Sequence, residues 1–379
     1  MTLLLTPEQA MLKATAHAFF SQQQPVQALR ALRDTADPTG FERALWQEMA
    51  ALGWAGILID EAHGGSDFGY QGLGQILEEA GRTLAATPLV STVLLAAPLV
   101  RAAGSAALHS ALLPTVADGT RVLALALEEG PHHAPTRTAL KATPEAGGFV
   151  LNGSKTYVLD GHIADDFIVL ARTAGQPGDA HGLTLFYLRG DTEGLTRNRL
   201  RMVDSRNAAQ LHLRDVRVAA SDRLGELDLA LAHLDPVLDG ARAGLAAEML
   251  GSALEAFERT LAYLKMREQF GVPIGSFQAL KHRAAIMFCE LELTRSAVRA
   301  ALAALDAGSS EAALLACLAK AKACDTFELV SSEAVQLHGG IGMTDAAEIG
   351  FFLKRARVAQ QLLGDAGFQR ERYASLRGF

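Results

Sequence analysis

The sequence is poor in cysteine, which excludes a domain framed by disulfide bonds. Its three cysteines, Cys289, Cys317 and Cys324, are odd in number for such a framework and too badly spaced for a zinc site. All three lie in apolar segments with helical spacing, so we expect buried, reduced thiols. The sequence therefore predicts neither a disulfide nor a bound metal ion.

Long hydrophobic runs and clusters of basic residues are also missing. The most apolar stretch, residues 88–104, contains Pro98 and Arg101 and falls short of the roughly 20 residues that span a bilayer, so we expect a buried helix. The start of the chain lacks the basic region of a signal peptide, which predicts a cytosolic protein. A net charge of -7 and the absence of a basic run argue against nucleic acid as a main partner.

Aromatic residues make up only 6% of the chain, while alanine and leucine dominate. This composition favours helix over strand, because neither alanine nor leucine loses much freedom in a helix. At 379 residues the chain is long enough for two or three packed units. Thr6, Pro7 and Gln9 mark a helix start, with a hydroxyl cap, a proline at the first helical position and an amide that reaches back.

Changes in the hydrophobic pattern divide the chain into three parts. Helical spacing continues to residue 120, and segments rich in Val, Leu, Phe and Tyr then alternate with turn residues, with Asn152-Gly153 as the strongest hairpin signal. Helical spacing then returns in four long segments, at residues 236–268, 276–306, 311–338 and 345–375. The sequence predicts a mainly α fold, with an N-terminal helical domain at 1–120, a middle β-domain at 121–226 and a C-terminal four-helix bundle at 227–379.

Two segments of the predicted bundle have a composition suited to an anionic ligand. Residues 267–278 read REQFGVPIGSFQ, and residues 336–342 read QLHGGIG. Arg267 can make charge-assisted hydrogen bonds to phosphate, and Gly339 and Gly340 let backbone amides approach an anion closely. A lone arginine is usually solvated and a Gly-Gly pair usually only ends a helix, but their combination on successive helices favours a cofactor site.

Both segments resemble motifs of the acyl-CoA dehydrogenase family, and the resemblance runs from end to end of the chain. Residues 267–278 resemble its Arg-x-x-Phe-Gly...Phe-Gln segment, and residues 336–342 resemble its Gln-x-x-Gly-Gly-x-Gly turn. Residues 59–84 are similar to its Pro-Glu-x-x-Gly-Gly loop and following helix, and residues 151–173 to the segment beside the flavin ring. The resemblance implies a three-part dehydrogenase fold with a β-barrel or sandwich in the middle, FAD as cofactor and an acyl-CoA thioester as substrate.

In that family the two bundle segments bind the pyrophosphate and adenosine of an FAD held mainly by a neighbouring subunit. The resemblance assigns the following residues to this half-site: Arg267, Gln269, Phe270, Phe277, Gln278, Gln336, Gly339 and Gly340. His338 lies beside the glycine turn, where it either touches the ligand or has a structural role. The resemblance also implies an oligomer built through the bundle, either a homotetramer or a heterotetramer with a related dehydrogenase subunit.

The family's reaction needs a carboxylate base, and both customary positions for it hold apolar residues. The usual glutamate near the C-terminus aligns with Leu363, and the alternative one, immediately before Arg242, aligns with Ala241. Three nearby carboxylates could substitute, with the first preferred: Asp365, Asp239 and Glu248. Each also has a structural interpretation, namely a turn contact for Asp365, a helix cap for Asp239 and a buried ion pair for Glu248.

The β-domain departs from the family as well. Leu127-Glu128-Glu129-Gly130 stands where catalytic members have Thr-Glu-Pro-Gly, and Tyr157-Val158-Leu159 stands where they have Trp-x-Thr. Two hydroxyl partners of the flavin ring are therefore missing from this chain, which weakens polar recognition of the ring.

The residues support two hypotheses about function. In the first, the chain is a dehydrogenase that removes a proton from Cα and a hydride from Cβ of an acyl-CoA, with an electron-transfer flavoprotein as acceptor. In the second, it is a non-catalytic subunit that donates half an FAD site to a catalytic partner, as in pairs that act on steroid side chains or similarly bulky acyl groups. Arg242 is a candidate contact to the substrate, or else a buried ion-pair partner. The identity of the acyl group and the choice between a protein acceptor and oxygen stay open.

Overall fold

The computed structural model describes residues 4–379, which form two compact units. The first unit comprises the described residues up to Ala31 together with Tyr70–Ala85 and Arg242–Phe379, and the second comprises Leu32–Gly69 and Ala86–Ala241. The mainly α fold with a sheet in the middle of the chain is confirmed, while the domain boundaries at residues 120 and 226 stay a prediction. Within the described residues, no helix combines the length and apolar character needed to cross a membrane.

The helices that precede the sheet are α1 (Pro7–Gln23), α2 (Val26–Asp34), α3 (Arg43–Ala51), α4 (Gly69–Arg82), α5 (Ala97–Ala103) and α6 (Ala106–Ala117). The start of α1 is confirmed, because the Gln9 amide N–H donates to Thr6 Oγ1 at 3.2 Å and the Thr6 amide N–H donates to the Gln9 side chain at 3.1 Å. The apolar stretch before α5 is also helical: Leu89–Ala96 is a π-helix in which every residue is buried.

The strands are β1 (Leu123–Ala126), β2 (Lys141–Glu145), β3 (Gly148–Leu159), β4 (Asp166–Arg172), β5 (Leu183–Arg189), β6 (Leu195–Arg201), β7 (Asn207–Ala219) and β8 (Arg223–Leu224). They form one sheet in the order β6-β7-β3-β2-β4-β5-β8, and β1 pairs with β4. The β4 pairings with β1 and β2 are parallel and the others are antiparallel. Every residue of β1 and β4 is buried, so these strands form the centre of the β-domain core.

The hairpin predicted at Asn152-Gly153 is wrong, because both residues lie inside β3. The pairing of β3 with β7 shifts register there. Across this irregularity the Asp215 backbone N–H donates to Asn152 Oδ1 at 2.8 Å. The actual hairpin joins β2 to β3 after Glu145, which pairs with Gly148, and Gly147 supplies the positive φ of 84° that the turn needs. The pair Asn152-Gly153 therefore has the composition of a turn, although its asparagine forms a hydrogen bond at a strand irregularity.

The C-terminal helices are α7 (Ala230–Met266), α8 (Gln278–Asp306), α9 (Ala312–His338), α10 (Ile349–Gln361) and α11 (Ala366–Leu376), with a short hairpin of β9 (Glu268–Gln269) and β10 (Val272–Pro273) after α7. The predicted fourth segment at 345–375 is not one helix. Leu363 and Gly364 have φ values of 60° and 94°, which break it into α10 and α11. The exposure of Cys289 corrects the expectation that all three thiols are buried.

Candidate functional site

The predicted half-site begins at the β9–β10 hairpin, which the sequence pattern did not reveal. Gln269 pairs with Val272, and the two loop residues, Phe270 and Gly271, have φ values of 56° and 79°, the combination of a type I′ turn. This conformation strains a phenylalanine, yet the Phe270 ring is 93% exposed and gains no burial in return. The Phe277 ring lies nearly perpendicular to it, with centroids 6.2 Å apart. The hairpin thus holds an aromatic ring out towards solvent.

The second segment of the half-site is the turn that ends α9. Gly339 has φ 66° and ψ -146°, a conformation that essentially only glycine adopts. A Cβ added at Gly339 or at Gly340 would meet no atom within 4 Å. The backbone of this turn is therefore open to an approaching ligand.

Two contacts bring the hairpin and the glycine turn together in the first unit. Arg283 near the start of α8 pairs with Glu333 near the end of α9, so the helices run antiparallel and the Gln278 end of α8 lies beside the Gln336 end of α9. At the same end of the unit, the rings of Tyr263 and His338 stack with centroids 4.4 Å apart and planes 20° apart.

The half-site residues fit the pyrophosphate and adenosine of FAD. All eight are exposed: Arg267, Gln269, Phe270, Phe277, Gln278, Gln336, Gly339 and Gly340. In the part of the chain that the structure describes, the Arg267 guanidinium has no carboxylate partner and is available to an anion. An open backbone turn and an unpaired arginine at the same end of the unit suit phosphate, and the two exposed rings suit the adenine ring.

The turn between α10 and α11, where the family has its usual base, is built from hydrogen bonds to two carbonyls. Leu363 is 7% exposed, and its carbonyl accepts from Arg242 Nε at 3.2 Å and from Gln369 Nε2 at 2.8 Å. The Gly364 carbonyl accepts from Gln369 Nε2 and from Lys320 Nζ, both at 3.2 Å. The guanidinium of Arg242 also lies over the Phe368 ring, 5.6 Å from its centroid. These donors hold Leu363 in its left-handed conformation.

Lys320 is a residue that sequence reasoning missed. Its side chain is fully buried, and Nζ also donates to the carbonyls of Ala359 at 3.1 Å and Gln360 at 3.2 Å, which end α10. Burial lowers the pKa of Lys320, although the neighbouring Cys324 opposes the shift. Lys320 therefore acts as a helix C-cap, and no local signal in an apolar helix could have indicated it.

The three carboxylates that could replace the missing base each occupy a defined position. Asp365 caps α11, since its Oδ1 accepts from the Phe368 N–H at 2.9 Å, and Glu248 accepts from Arg355 Nη1 at 3.3 Å in a buried pair. Asp239 is only 6% exposed and lies inside α7, which begins at Ala230, so its interpretation as a helix cap is wrong. The structural interpretations of Asp365 and Glu248 are confirmed, and a role of any of the three as base stays a prediction.

The β-domain loop at Leu127 is fixed by a second buried lysine that sequence reasoning missed. Lys155 pairs with Glu129 at 2.8 Å and donates to the Leu127 carbonyl at 3.0 Å. Burial lowers the pKa of Lys155 to about 8, with Glu129 opposing the shift. Leu127 and Leu159, which stand at the family's two hydroxyl positions, are buried at 5% and 8% exposure. Across residues 4–379, no group of three or more His, Cys, Asp or Glu side chains could hold a metal ion.

Known proteins of similar sequence and fold all point to one family. The chain matches the acyl-CoA dehydrogenase N-terminal domain over residues 6–120, the middle domain over 124–216 and the C-terminal domain over 234–375. It is 32% identical to the short-chain specific acyl-CoA dehydrogenase of Megasphaera elsdenii, over 84% of this chain and 86% of that protein. A chain in a structure of the electron transferring flavoprotein of Acidaminococcus fermentans is 28% identical, with a TM-score of 0.92 over 99% of this chain and 98% of that one. A chain of the ChsE4-ChsE5 complex from Mycobacterium tuberculosis is 26% identical, with a TM-score of 0.88 over 100% of this chain and 99% of that one.

Proposed function

Because the chain belongs to the acyl-CoA dehydrogenase family of FAD-dependent enzymes, we propose that it serves in the α,β-dehydrogenation of an acyl-CoA thioester as a subunit of an oligomer. The observation that carries this proposal is the exposure of the half-site, above all the strained Phe270 ring at 93% exposure. A lone chain gains nothing from an apolar ring held in water at a conformational cost. An FAD bound mainly by a neighbouring subunit would cover that ring.

The chemistry of the reaction divides between the cofactor and the chain. Bound FAD supplies a hydride acceptor at N5 for the hydrogen on Cβ, while a base takes the proton from Cα. In this chain Arg267 and the open Gly339-Gly340 turn would hold the pyrophosphate, and Phe270 and Phe277 would contact the adenosine. Arg242 fixes the Leu363 carbonyl, and a direct contact of Arg242 with substrate stays a prediction.

A second function, that of a non-catalytic subunit donating half an FAD site, is favoured by the two apolar base positions. Ala241 and Leu363 are buried, at 0% and 7% exposure. Because both side chains are apolar, neither position offers a proton acceptor. The preferred substitute, Asp365, already caps α11. The structural likeness to a chain of the ChsE4-ChsE5 complex supports a hetero-oligomer of this kind. In either case we propose an electron-transfer flavoprotein as the acceptor, supported by the likeness to the structure from Acidaminococcus fermentans, and a cytosolic location.

The first test is the flavin content of the full chain, purified alone and after co-expression with candidate partner dehydrogenase subunits. Acyl-CoAs are then added to each preparation and the visible flavin band is followed. One FAD per chain with bleaching in the chain alone would support a self-sufficient dehydrogenase. FAD and bleaching that arise only with a partner, at half occupancy, would support the donor subunit. Absence of FAD from every assembly would refute both functions.

The role of Asp365 is tested by Asp365→Asn, which keeps the helix cap because asparagine caps as well as aspartate does. The variant should fold as the parent does but cannot accept a proton. Loss of bleaching with retained FAD would establish Asp365 as the base, and unchanged bleaching would eliminate it. The matched control is Asp325→Asn, since Asp325 lies on α9 and forms a surface ion pair with Arg370.

A further inference from the structure

The stacked rings of Tyr263 and His338 hold an imidazole beside the glycine turn of the half-site. Tyr263 lies in the last turns of α7, and its carbonyl accepts from the Arg267 N–H at 2.8 Å. His338 is the last residue of α9 and immediately precedes Gly339. The stacking of the imidazole on the Tyr263 ring, with planes 20° apart, restricts its rotation.

The hydrogen bonding of His338 determines which ring nitrogen carries the proton. Nδ1 lies 2.7 Å from the Ala334 carbonyl, which can only accept, so Nδ1 is the protonated nitrogen. Burial lowers the pKa of His338, which keeps the ring neutral at neutral pH. Nε2 therefore carries a lone pair, and it has no hydrogen-bond partner among residues 4–379.

The cofactor that the proposed function requires carries hydrogen-bond donors for this acceptor. The Arg267 guanidinium and the open Gly339-Gly340 turn, which directly follows His338, suit the phosphates. Beyond its phosphates, the adenosine part of FAD offers ribose hydroxyls and the adenine amino group as donors. A neutral imidazole nitrogen accepts from either kind of group, whereas a protonated one cannot.

We propose that His338 is a cofactor-specificity residue whose Nε2 accepts a hydrogen bond from the adenosine moiety of FAD, and that Tyr263 positions the ring for this contact. The proposal rests on the proposed function, because it requires FAD at the half-site. FMN lacks adenosine, so the contact favours FAD over FMN.

The test compares His338→Phe with the parent chain in the assembly that binds flavin. Phenylalanine keeps a ring against Tyr263 but has no acceptor. Titration of the flavin-free assembly with FAD, followed by flavin fluorescence, should give a dissociation constant about fivefold higher for the variant, the effect of one hydrogen bond. Tyr263→Phe keeps the stack and should bind as the parent does, whereas Tyr263→Leu removes the stack and should approach His338→Phe.

The pH dependence separates a hydrogen bond from a structural effect. Affinity of the parent for FAD should fall as the pH is lowered and His338 takes up a proton, and the affinity of His338→Phe should lack this component. The other charged or titratable groups near the ring are Tyr263 and Arg267 at the end of α7, Glu268 after it, and the Arg283-Glu333 pair of α8 and α9. Their titration is common to both proteins and cancels in the comparison.

Equal FAD affinities and equal pH profiles for the parent and His338→Phe would overturn the proposal while leaving the proposed function intact. Weaker binding by His338→Phe without a change in the pH profile would also overturn it, since that result indicates altered packing. Circular dichroism and size-exclusion chromatography of each variant exclude misfolding as the cause. An assembly that binds no FAD at all would overturn both the proposal and the proposed function.

Discussion

Replacing the two glycines of the half-site turn one at a time should separate folding from cofactor binding. Gly339 has a positive φ of 66° but open space around its Cβ position, so Gly339→Ala introduces strain without a steric clash. Such strain costs about 1–3 kcal/mol of folding free energy. Gly340 is not among the residues with positive φ and is equally open, so Gly340→Ala should leave stability unchanged.

The same two variants differ in their expected effect on FAD. The methyl group of Gly340→Ala extends into the space through which a phosphate would approach the backbone amides. Loss of one hydrogen bond to a charged group is worth about 1.5–3 kcal/mol, which corresponds to a dissociation constant roughly ten- to a hundredfold higher. We therefore expect Gly340→Ala to lose FAD affinity while retaining the unfolding midpoint of the parent.

Thermal unfolding followed by circular dichroism and FAD titration followed by flavin fluorescence measure the two effects. Gly308→Ala is a matched control, because Gly308 also has a positive φ, 57°, and an open Cβ position but follows α8 at the opposite end from Gln278. It should lose stability as Gly339→Ala does and bind FAD as the parent does. FAD affinity equal to that of the parent in Gly340→Ala would refute the assignment of this turn to the pyrophosphate.

Three further expectations concern other parts of the chain. The pKa of Lys155 is about 8 in the folded protein and near its ordinary 10.5 when unfolded, so unfolding takes up a proton in this window. The parent should therefore gain stability relative to Lys155→Met as the pH rises from about 8 to about 10, as measured by urea unfolding. A difference in unfolding free energy between the two proteins that stays constant over this pH range would refute the lowered pKa of Lys155. Arg242→Lys removes the Nε donor to the Leu363 carbonyl and should cost about 1–3 kcal/mol in the same assay. Ellman's reagent should react rapidly with one thiol of the native chain, and Cys289→Ser should abolish that phase, because Cys317 and Cys324 are buried.

The elements that the sequence predicted correctly are those with strong local periodicity. The segments rich in Val, Leu, Phe and Tyr that the sequence predicted as a β-domain contain β1, β3, β4, β5 and β7, and the helices α8 and α9 fall at the predicted residues. The strands that were missed, β2, β6 and β8, are short or largely exposed, so they lack the apolar alternation that marks a half-buried strand. The break between α10 and α11 was missed although Gly364 followed by the cap residue Asp365 is a local signal for it, while the left-handed Leu363 before them has no such signature.

The residues of the candidate site also differ in how well the sequence predicts them. The residues of the proposed half-site could be singled out in the sequence because they form two continuous motifs, and the structure places both motifs at one end of the first unit. Lys320 and Lys155 could not be predicted, because each acts through carbonyls or carboxylates that are distant in the sequence. A lysine in an apolar helix can be recognised as buried only when the groups that accept its hydrogen bonds are known, because a buried cation needs such partners.

The hydrogen bonding of the α10–α11 turn determines how the missing base should be interpreted. A left-handed leucine costs about 1–2 kcal/mol, so Leu363 would relax unless its surroundings held it in place. Arg242, Gln369 and Lys320 donate to the carbonyls of Leu363 and Gly364 and over-determine the turn. The apolar residue is therefore not a sign of a degraded fold, because hydrogen bonds hold the turn although its side chain offers no proton acceptor. Stability measurements cannot distinguish a dehydrogenase from a donor subunit in such a chain, whereas bleaching of bound flavin by acyl-CoA can.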